Sequence, residues 1–177
     1  MDWWMIFVQF LGIVAMIIAF LSLQYRSNKN YLLMQCISMV LFSTHFVLLG
    51  SMGGAFMNLI GALRSIVFYN KSFRGKTWSF VLLESLTIIS IAACIIFFKE
   101  SPWLSILIFV ANSTNTFSVW KGDGKIIRFA TLFVQAPMWI IYNIFAFSIA
   151  GIISETFNII SSVVALFRFR KIGFEQN

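Results

Sequence analysis

The chain has 177 residues, of which 60% are hydrophobic and 11% are charged. A soluble domain carries about 25% charged residues, so this chain has too little polar surface to cover a globule in water. The composition therefore excludes an ordinary soluble domain and indicates an integral membrane protein. The net charge of +7 is compatible with nucleic-acid binding in principle. Because the cations fall between apolar segments, however, we expect no nucleic acid as a partner.

Seven apolar segments follow one another along the chain, and short polar or glycine-rich connections separate them. A helix needs roughly 20 apolar residues to cross a bilayer, and most of the segments come close to that length. We therefore predict an all-α integral membrane protein with seven transmembrane helices and no separate soluble domain. The predicted spans are residues 3–23, 31–49, 55–69, 77–98, 103–120, 126–147 and 149–169.

The cations are distributed very unevenly between the two sides of such a bundle. On one side the connections hold Lys99 alone. Cytoplasmic loops carry an excess of Lys and Arg, so the asymmetry predicts an external N-terminus and a cytoplasmic C-terminus. Eleven cations fall on the predicted cytoplasmic side, namely Arg26, Lys29, Lys71, Arg74, Lys76, Lys121, Lys125, Arg128, Arg168, Arg170 and Lys171.

The first three and the last three spans show the same order of long helix, basic connection, helix, small-residue turn and polar-bearing helix. Because three is an odd number, a fourth helix is needed to give both copies the same orientation, as in parallel repeats. We predict two three-helix bundles (residues 1–70 and 102–171), a basic loop with a linker helix (71–101) and a cytoplasmic tail (172–177). An offset of 97 residues pairs Ser51 with Ser148, Gly54 with Gly151, His45 with Tyr142, and Asn58 with Glu155.

Several polar side chains interrupt the apolar spans, and lipid would not accept them. We interpret them as the lining of a substrate or ion pathway. The alternative is that they join helices by hydrogen bonds, each worth about 1 kcal/mol. Trp139 would stack on a sugar or heterocycle in the pathway, or else it is core packing. The predicted pathway residues are His45, Asn58, Asn112, Asn115, Trp139, Tyr142, Glu155 and Asn158.

Two pairs of ionisable residues within the spans have more specific predicted roles. Glu155 would bind a cation or a proton, with His45 as a second titrating group. At a helix rise of about 1.5 Å per residue, Arg64 and Glu84 share one layer near the cytoplasmic side. They are predicted to form a structural ion pair between the third and fourth helices, or else an inner gate.

The residues that catalysis or metal binding requires are scarce in this sequence. It has one His, and its two cysteines, Cys36 and Cys94, lie in separate spans. There is no phosphate-binding glycine-rich loop. We therefore predict no enzymatic activity, no cofactor, no metal site and no disulfide.

Residues of the second, third, sixth and seventh helices resemble the YgjV family of bacterial inner-membrane proteins. They are the segment Ser43–Gly50 with Asn58 and Arg64, and the later group Trp139, Tyr142, Asn143, Ser148, Gly151, Glu155 and Arg168. The resemblance covers nearly the whole chain and implies a multi-pass protein of the bacterial inner membrane. The three-plus-one-plus-three arrangement is also similar to SWEET/PQ-loop and PnuC-type transporters. That likeness implies alternating access, with Asn58 and Asn158 matching the substrate-site asparagines of the third and seventh helices. The first and fifth helices lack the mid-span proline of that superfamily.

Together these features predict a carrier, either a uniporter or a proton-linked one, for a small polar solute. The alternative is a membrane receptor, assembly factor or adaptor without transport activity. The expected partners are the lipid bilayer and a small polar solute, and the sequence is compatible with a homo-oligomer.

Overall fold

The computed structural model describes residues 3–22, 28–73 and 75–175, with the side chains of residues 28, 29, 31, 71 and 168–175 outside that description. The cations Arg26 and Arg74 and the side chains of Lys29, Lys71, Arg168, Arg170 and Lys171 therefore lie outside the described part. The described residues form seven long helices in an all-α fold. They are α1 (Trp3–Ser22), α2 (Asn28–Leu48), α3 (Met52–Tyr69), α4 (Thr77–Phe97), α5 (Pro102–Lys121), α6 (Gly124–Phe145) and α7 (Ile149–Glu175).

The outside of the bundle is apolar, and its interior holds polar side chains beside an apolar core. On α4, for example, Ile88, Ile89 and Ile96 are all more than half exposed. Fully buried positions, by contrast, include hydroxyls and amides such as Thr116 and Asn143. Apolar side chains on the outside of a helix bundle are stable only against lipid, so these helices contact the bilayer.

Five of the described helices are long and apolar enough to cross a membrane: α1, α3, α4, α6 and the Ile149–Phe167 part of α7. The apolar part of α2 is shorter, covering Leu32–Leu48. Helix α5 buries a row of polar residues, including Ser105, Asn112 and Thr116, which lowers its hydropathy without placing those groups in lipid. The crossing of α2 and α5 remains a prediction from their position between the other spans.

Helices α1–α3 and α5–α7 pack around a common centre, and helices that follow one another in the chain contact each other. Helix α2 packs between α1 and α3, and α6 packs between α5 and α7. Contacts of α3 with α5, and of α1 with α7, join the two sets. Helix α4 packs on α3 and α5 from outside. We call the end with the α2–α3, α4–α5 and α6–α7 connections the turn end, and the opposite end, with the connections rich in Lys and Arg, the basic end.

The α2–α3 and α6–α7 turns have the same backbone hydrogen bonds at an offset of 97 residues. The Ser51 N–H donates to the Phe46 carbonyl (2.9 Å), and the Ser148 N–H donates to the Asn143 carbonyl (3.0 Å). Three further bonds of the first turn recur in the second at this offset. Both turns also need one residue with positive φ, which is Gly50 (77°) in the first and Phe147 (54°) in the second.

Helix α6 contains a five-residue π-helical segment, Thr131–Gln135, in which the Ala136 N–H donates to the Thr131 carbonyl. Pro137 follows directly and has no N–H to continue the α-helical ladder, and its ring would collide with the carbonyl four residues earlier. The wider π turn accommodates the proline, and such segments often occur at functional sites.

Two predicted boundaries differ from the structure. The predicted glycine-rich turn Gly50–Gly54 is shorter than expected, because α3 already begins at Met52. Side chains from elsewhere in the fold satisfy the first N–H groups of α3, as described below, and this allows glycines to start the helix. Helix α7 also continues to Glu175, beyond the end predicted at residue 169 and into the predicted tail.

Candidate functional site

A cavity of about 430 Å³ lies among the helices. Its size falls in the range of small-molecule sites, about 300–1,000 Å³. Six helices line it, and α4 contributes none of the described lining residues. The lining includes Gly122 and Gly124 at the α5–α6 connection, which are both exposed, so the cavity reaches the basic end.

The 97-residue offset also relates the two sides of this cavity. Seven lining positions on α2 and α3 recur as lining positions on α6 and α7. The α2–α3 wall consists of Ser38, Phe42, Phe46, Met57, Asn58, Gly61 and Ser65, and the α6–α7 wall consists of Gln135, Trp139, Asn143, Ser154, Glu155, Asn158 and Ser162.

The two walls differ in chemistry. The α2–α3 wall presents two phenylalanines and a methionine beside two serines and one asparagine, whereas the α6–α7 wall presents amides, hydroxyls and one carboxylate beside one tryptophan. Three buried polar groups on the α6–α7 wall have no hydrogen-bond partner among the described residues: Gln135 Nε2, Asn143 Oδ1 and Ser162 Oγ. The α6–α7 wall is therefore the more polar of the two, and both walls carry polar as well as aromatic side chains.

Glu155 is the acidic residue of this cavity. Its side chain is half-buried, and its Oε2 accepts a hydrogen bond from Asn158 Nδ2 (3.2 Å) one helical turn further along α7. Asn58, its counterpart at the 97-residue offset, also lines the cavity and donates to the Gly54 carbonyl of its own helix (2.9 Å).

Arg64 is a buried cation on the cavity wall, with 5% of its surface exposed. Its Nη1 donates to Asn112 Oδ1 and to Thr116 Oγ1, both at 3.1 Å and both on α5. Asn112 Nδ2 in turn donates to Thr87 Oγ1 on α4 (3.1 Å). The network joins three helices, and charge-assisted hydrogen bonds of this kind are each worth about 1.5–3 kcal/mol.

The predicted ion pair between Arg64 and Glu84 is not present among the described residues. Glu84 Oε2 instead accepts a hydrogen bond from Ser113 Oγ on α5 (2.6 Å). The physical reason is that α5 packs against both α3 and α4, so the two charged side chains reach α5 separately. Glu84 also lies outside the cavity lining.

Trp139 lies where the two walls approach the turn end. Its ring is tilted against Phe46 (6.1 Å between centroids) and edge-on to Tyr142 (5.6 Å). The side chain is half-buried and lines the cavity, so it serves both as packing and as cavity surface.

At the turn end, side chains from outside the α2–α3 hairpin cap the start of α3. Glu100, in the α4–α5 connection, accepts the Gly53 N–H at Oε2 (2.6 Å). The Tyr142 hydroxyl accepts the Gly54 N–H (2.6 Å) and donates to Glu100 Oε1 (2.8 Å). The first N–H groups of a helix lack partners within it, and a carboxylate is favourable at that end of the helix dipole.

The start of α7 is held in a related way by side chains of α1 and α2. Gln9 Oε1 accepts the Ile149 N–H (3.2 Å), and Gln9 Nε2 donates to the Phe147 carbonyl (2.7 Å). His45 lies between the Val8 carbonyl, 2.8 Å from Nδ1, and the Ser148 hydroxyl, 2.9 Å from Nε2. A carbonyl can only accept, so Nδ1 carries the proton toward Val8.

These bonds join the first half of the chain to the rest and close the turn end. His45 and Tyr142, which we predicted as pathway residues, belong to this closure and are absent from the cavity lining. Six predicted residues do line the cavity together with Arg64: Asn58, Asn112, Asn115, Trp139, Glu155 and Asn158.

Sequence reasoning missed Glu100 and Gln9 at the closure and Gln135, Asn143 and Arg128 at the cavity. Gln9 had a visible signal, since it is an amide in an otherwise apolar span. Glu100 had none, because a carboxylate in a connecting segment is usually solvated.

The fold and the buried polar cavity define a polytopic α-helical membrane protein. The sequence profile of Imp-YgjV, described as a bacterial inner membrane protein family, matches residues 6–172. The chain therefore belongs to the Imp-YgjV family of bacterial inner membrane proteins. No curated protein and no solved structure matches it.

Proposed function

We propose that this inner-membrane protein is a carrier for a small polar solute and works by alternating access between two three-helix units. The observation that carries this is the cavity itself, which six helices line with amides, hydroxyls and three charged groups in the interior of a lipid-exposed bundle. Each polar group without a partner costs free energy in the interior of a membrane protein. Such a cavity is therefore stable only if water or a polar solute enters it.

The arrangement of the helices supports two units that move against each other. Helices α1–α3 and α5–α7 pack in the same order, their turns share hydrogen bonds at the 97-residue offset, and the two cavity walls obey the same offset. In parallel-repeat transporters the substrate site lies at the interface of the repeats. Helix α4 then acts as the linker that gives both units one orientation.

The cavity reaches the basic end, while hydrogen bonds between the halves close the turn end. The loop cations support an orientation with the N-terminus outside and the basic end in the cytoplasm. A carrier in that orientation would be open to the cytoplasm. A reporter fused to the C-terminus should then be active only in the cytoplasm, and activity in the periplasm would overturn the orientation.

The difference in polarity between the two walls limits the class of solute that the cavity would bind. One side of the solute would meet Phe42, Phe46 and Met57, and the other would meet the unpartnered amides Gln135 and Asn143. A neutral or singly charged molecule with one hydrogen-bonding edge and one apolar face fits that pair of walls. We assign no catalytic reaction to the cavity.

Flux into proteoliposomes tests the carrier function directly. Purified protein is reconstituted and offered labelled sugars, vitamins and amino acids in separate assays. Asn143→Ala, on the α6–α7 wall, should reduce uptake of the transported solute at least tenfold, whereas Ile89→Ala, on the lipid-facing side of α4, should not. If a correctly folded protein moves none of these solutes, the carrier function fails and the receptor, assembly-factor or adaptor role takes its place.

A further inference from the structure

Glu155 has no cationic partner among the described residues. Among the described residues its carboxylate accepts a hydrogen bond from the Asn158 amide, and the residue lines the cavity. An ionised carboxylate in a membrane helix costs about 2.5–3.5 kcal/mol near the bilayer centre. A proton or another cation at the site removes the cost of this charge.

The charged and titratable groups around the cavity give Glu155 little compensation. Helix α1, which packs against α7, has no charged residue in its described range. Helix α6 carries Lys125 at its exposed start, Arg128 on the cavity wall and Tyr142, whose hydroxyl is held by Gly54 and Glu100. Across the cavity, Arg64 is bound to α5.

The surroundings suit a proton better than a metal ion. Hard metal cations need about six oxygen ligands, whereas the side chain bonded to the Glu155 carboxylate presents an N–H donor to it. In the described part of the chain no group of three His, Cys, Asp or Glu side chains could hold a metal ion. A proton, by contrast, forms a covalent O–H bond and needs no coordination shell.

We propose that Glu155 is a reversible proton-binding site and that it couples proton movement to solute movement. The coupling rests on the proposed carrier function, whereas the proton binding does not. The proton comes from water in the cavity, forms an O–H bond at the Glu155 carboxylate and returns to water when the carboxylate ionises. Because solute and proton share one cavity, the charge change at Glu155 alters the affinity for any charged solute, and by linkage the solute alters the affinity for the proton.

Infrared difference spectroscopy of the reconstituted full-length protein tests the site without a known solute. The probe is the proton itself, supplied by changing the buffer pH over lipid films of wild type, Glu155→Gln, Glu84→Gln and Glu100→Gln. The wild-type spectrum should contain a carboxylic-acid C=O band that Glu155→Gln loses and that both control variants keep. Sodium and potassium at constant pH should leave this band unchanged.

Either of two results would overturn the proposal: an unchanged set of carboxyl bands in Glu155→Gln, or displacement of the proton by sodium. Should Glu155→Gln fail to fold, Glu155→Asp serves instead and should shift the same band without removing it. A titrating Glu155 in a protein without solute flux would leave the proton site intact and reject the carrier function alone.

Discussion

Gly151 lets α6 and α7 approach each other closely. A Cβ at this position would collide with the Asn143 amide, which lies against the first turn of α7. Gly54 occupies the corresponding place at the start of α3, where a Cβ would lie 2.8 Å from both Phe46 and Tyr142. Glycine is needed at both positions for lack of space and not for an unusual φ.

Gly151→Ala should therefore destabilise the protein by about 1–3 kcal/mol, the usual cost of adding a carbon to a filled site. Thermal unfolding in detergent measures the change. Adding Asn143→Ala to this variant removes the colliding amide and should recover most of the loss. A single variant as stable as the wild type would contradict the close approach.

Tyr142 and Glu100 act together at the start of α3, because the hydroxyl that accepts the Gly54 N–H also donates to the carboxylate. Tyr142→Phe leaves both partners unsatisfied and should cost about 1–3 kcal/mol. Glu100→Gln should lower stability as well, and the double variant should lose less than the sum of the two, because each single change already breaks the shared bond. Unfolding of the three variants gives the coupling, and strictly additive losses would show that the two groups are independent.

At the scale of the element, α6 is unusual because it keeps a proline in its interior. The π segment Thr131–Gln135 widens the helix just before Pro137 and fixes which face of α6 carries Gln135. Pro102, in contrast, occupies the first turn of α5, where an N–H would have no partner within the helix.

Pro137→Ala should let α6 regain regular hydrogen bonds and raise its stability, since an interior proline costs about 3 kcal/mol. Pro102→Ala should change stability by much less. Helical signal and melting temperature in detergent compare the two variants. Equal effects at the two positions would show that the π segment does not depend on the proline.

Hydropathy was sufficient to predict the helices but not their ends. The stretches around α4 and α6 are apolar over about 20 residues, so their position follows from composition alone. The start of α3 does not, because Gly53 and Gly54 favour a turn until Glu100 and Tyr142, 47 and 88 residues away in the chain, accept their N–H groups. A contact at that separation leaves no local pattern.

For the whole molecule, the 97-residue offset predicted from sequence relates both the turns and the cavity walls. The same offset could not show which member of a pair faces the cavity, because this depends on how each helix is rotated. Asn58 and Glu155 face the cavity, whereas His45 and Tyr142 bind the opposite turns. The expected pair of Arg64 and Glu84 failed for a similar reason, since both side chains reach α5.

The central claim is that the cavity opens alternately at the basic end and at the turn end. Asn58 suits a probe, because it lines the cavity and its side-chain hydrogen bond goes to its own helix. Asn58→Cys is introduced after Cys36 and Cys94 have been replaced by alanine, and a membrane-impermeant thiol reagent is applied to spheroplasts and to inverted vesicles. Lys99→Cys, exposed at the turn end, marks one side.

We predict that Asn58→Cys reacts rapidly from the basic end and slowly from the turn end. Adding Tyr142→Phe should raise the turn-end rate at least fivefold and lower the basic-end rate, while Lys99→Cys keeps its one-sided reaction. Reaction of Asn58→Cys from the basic end alone, at a rate that Tyr142→Phe does not change, would contradict alternating access.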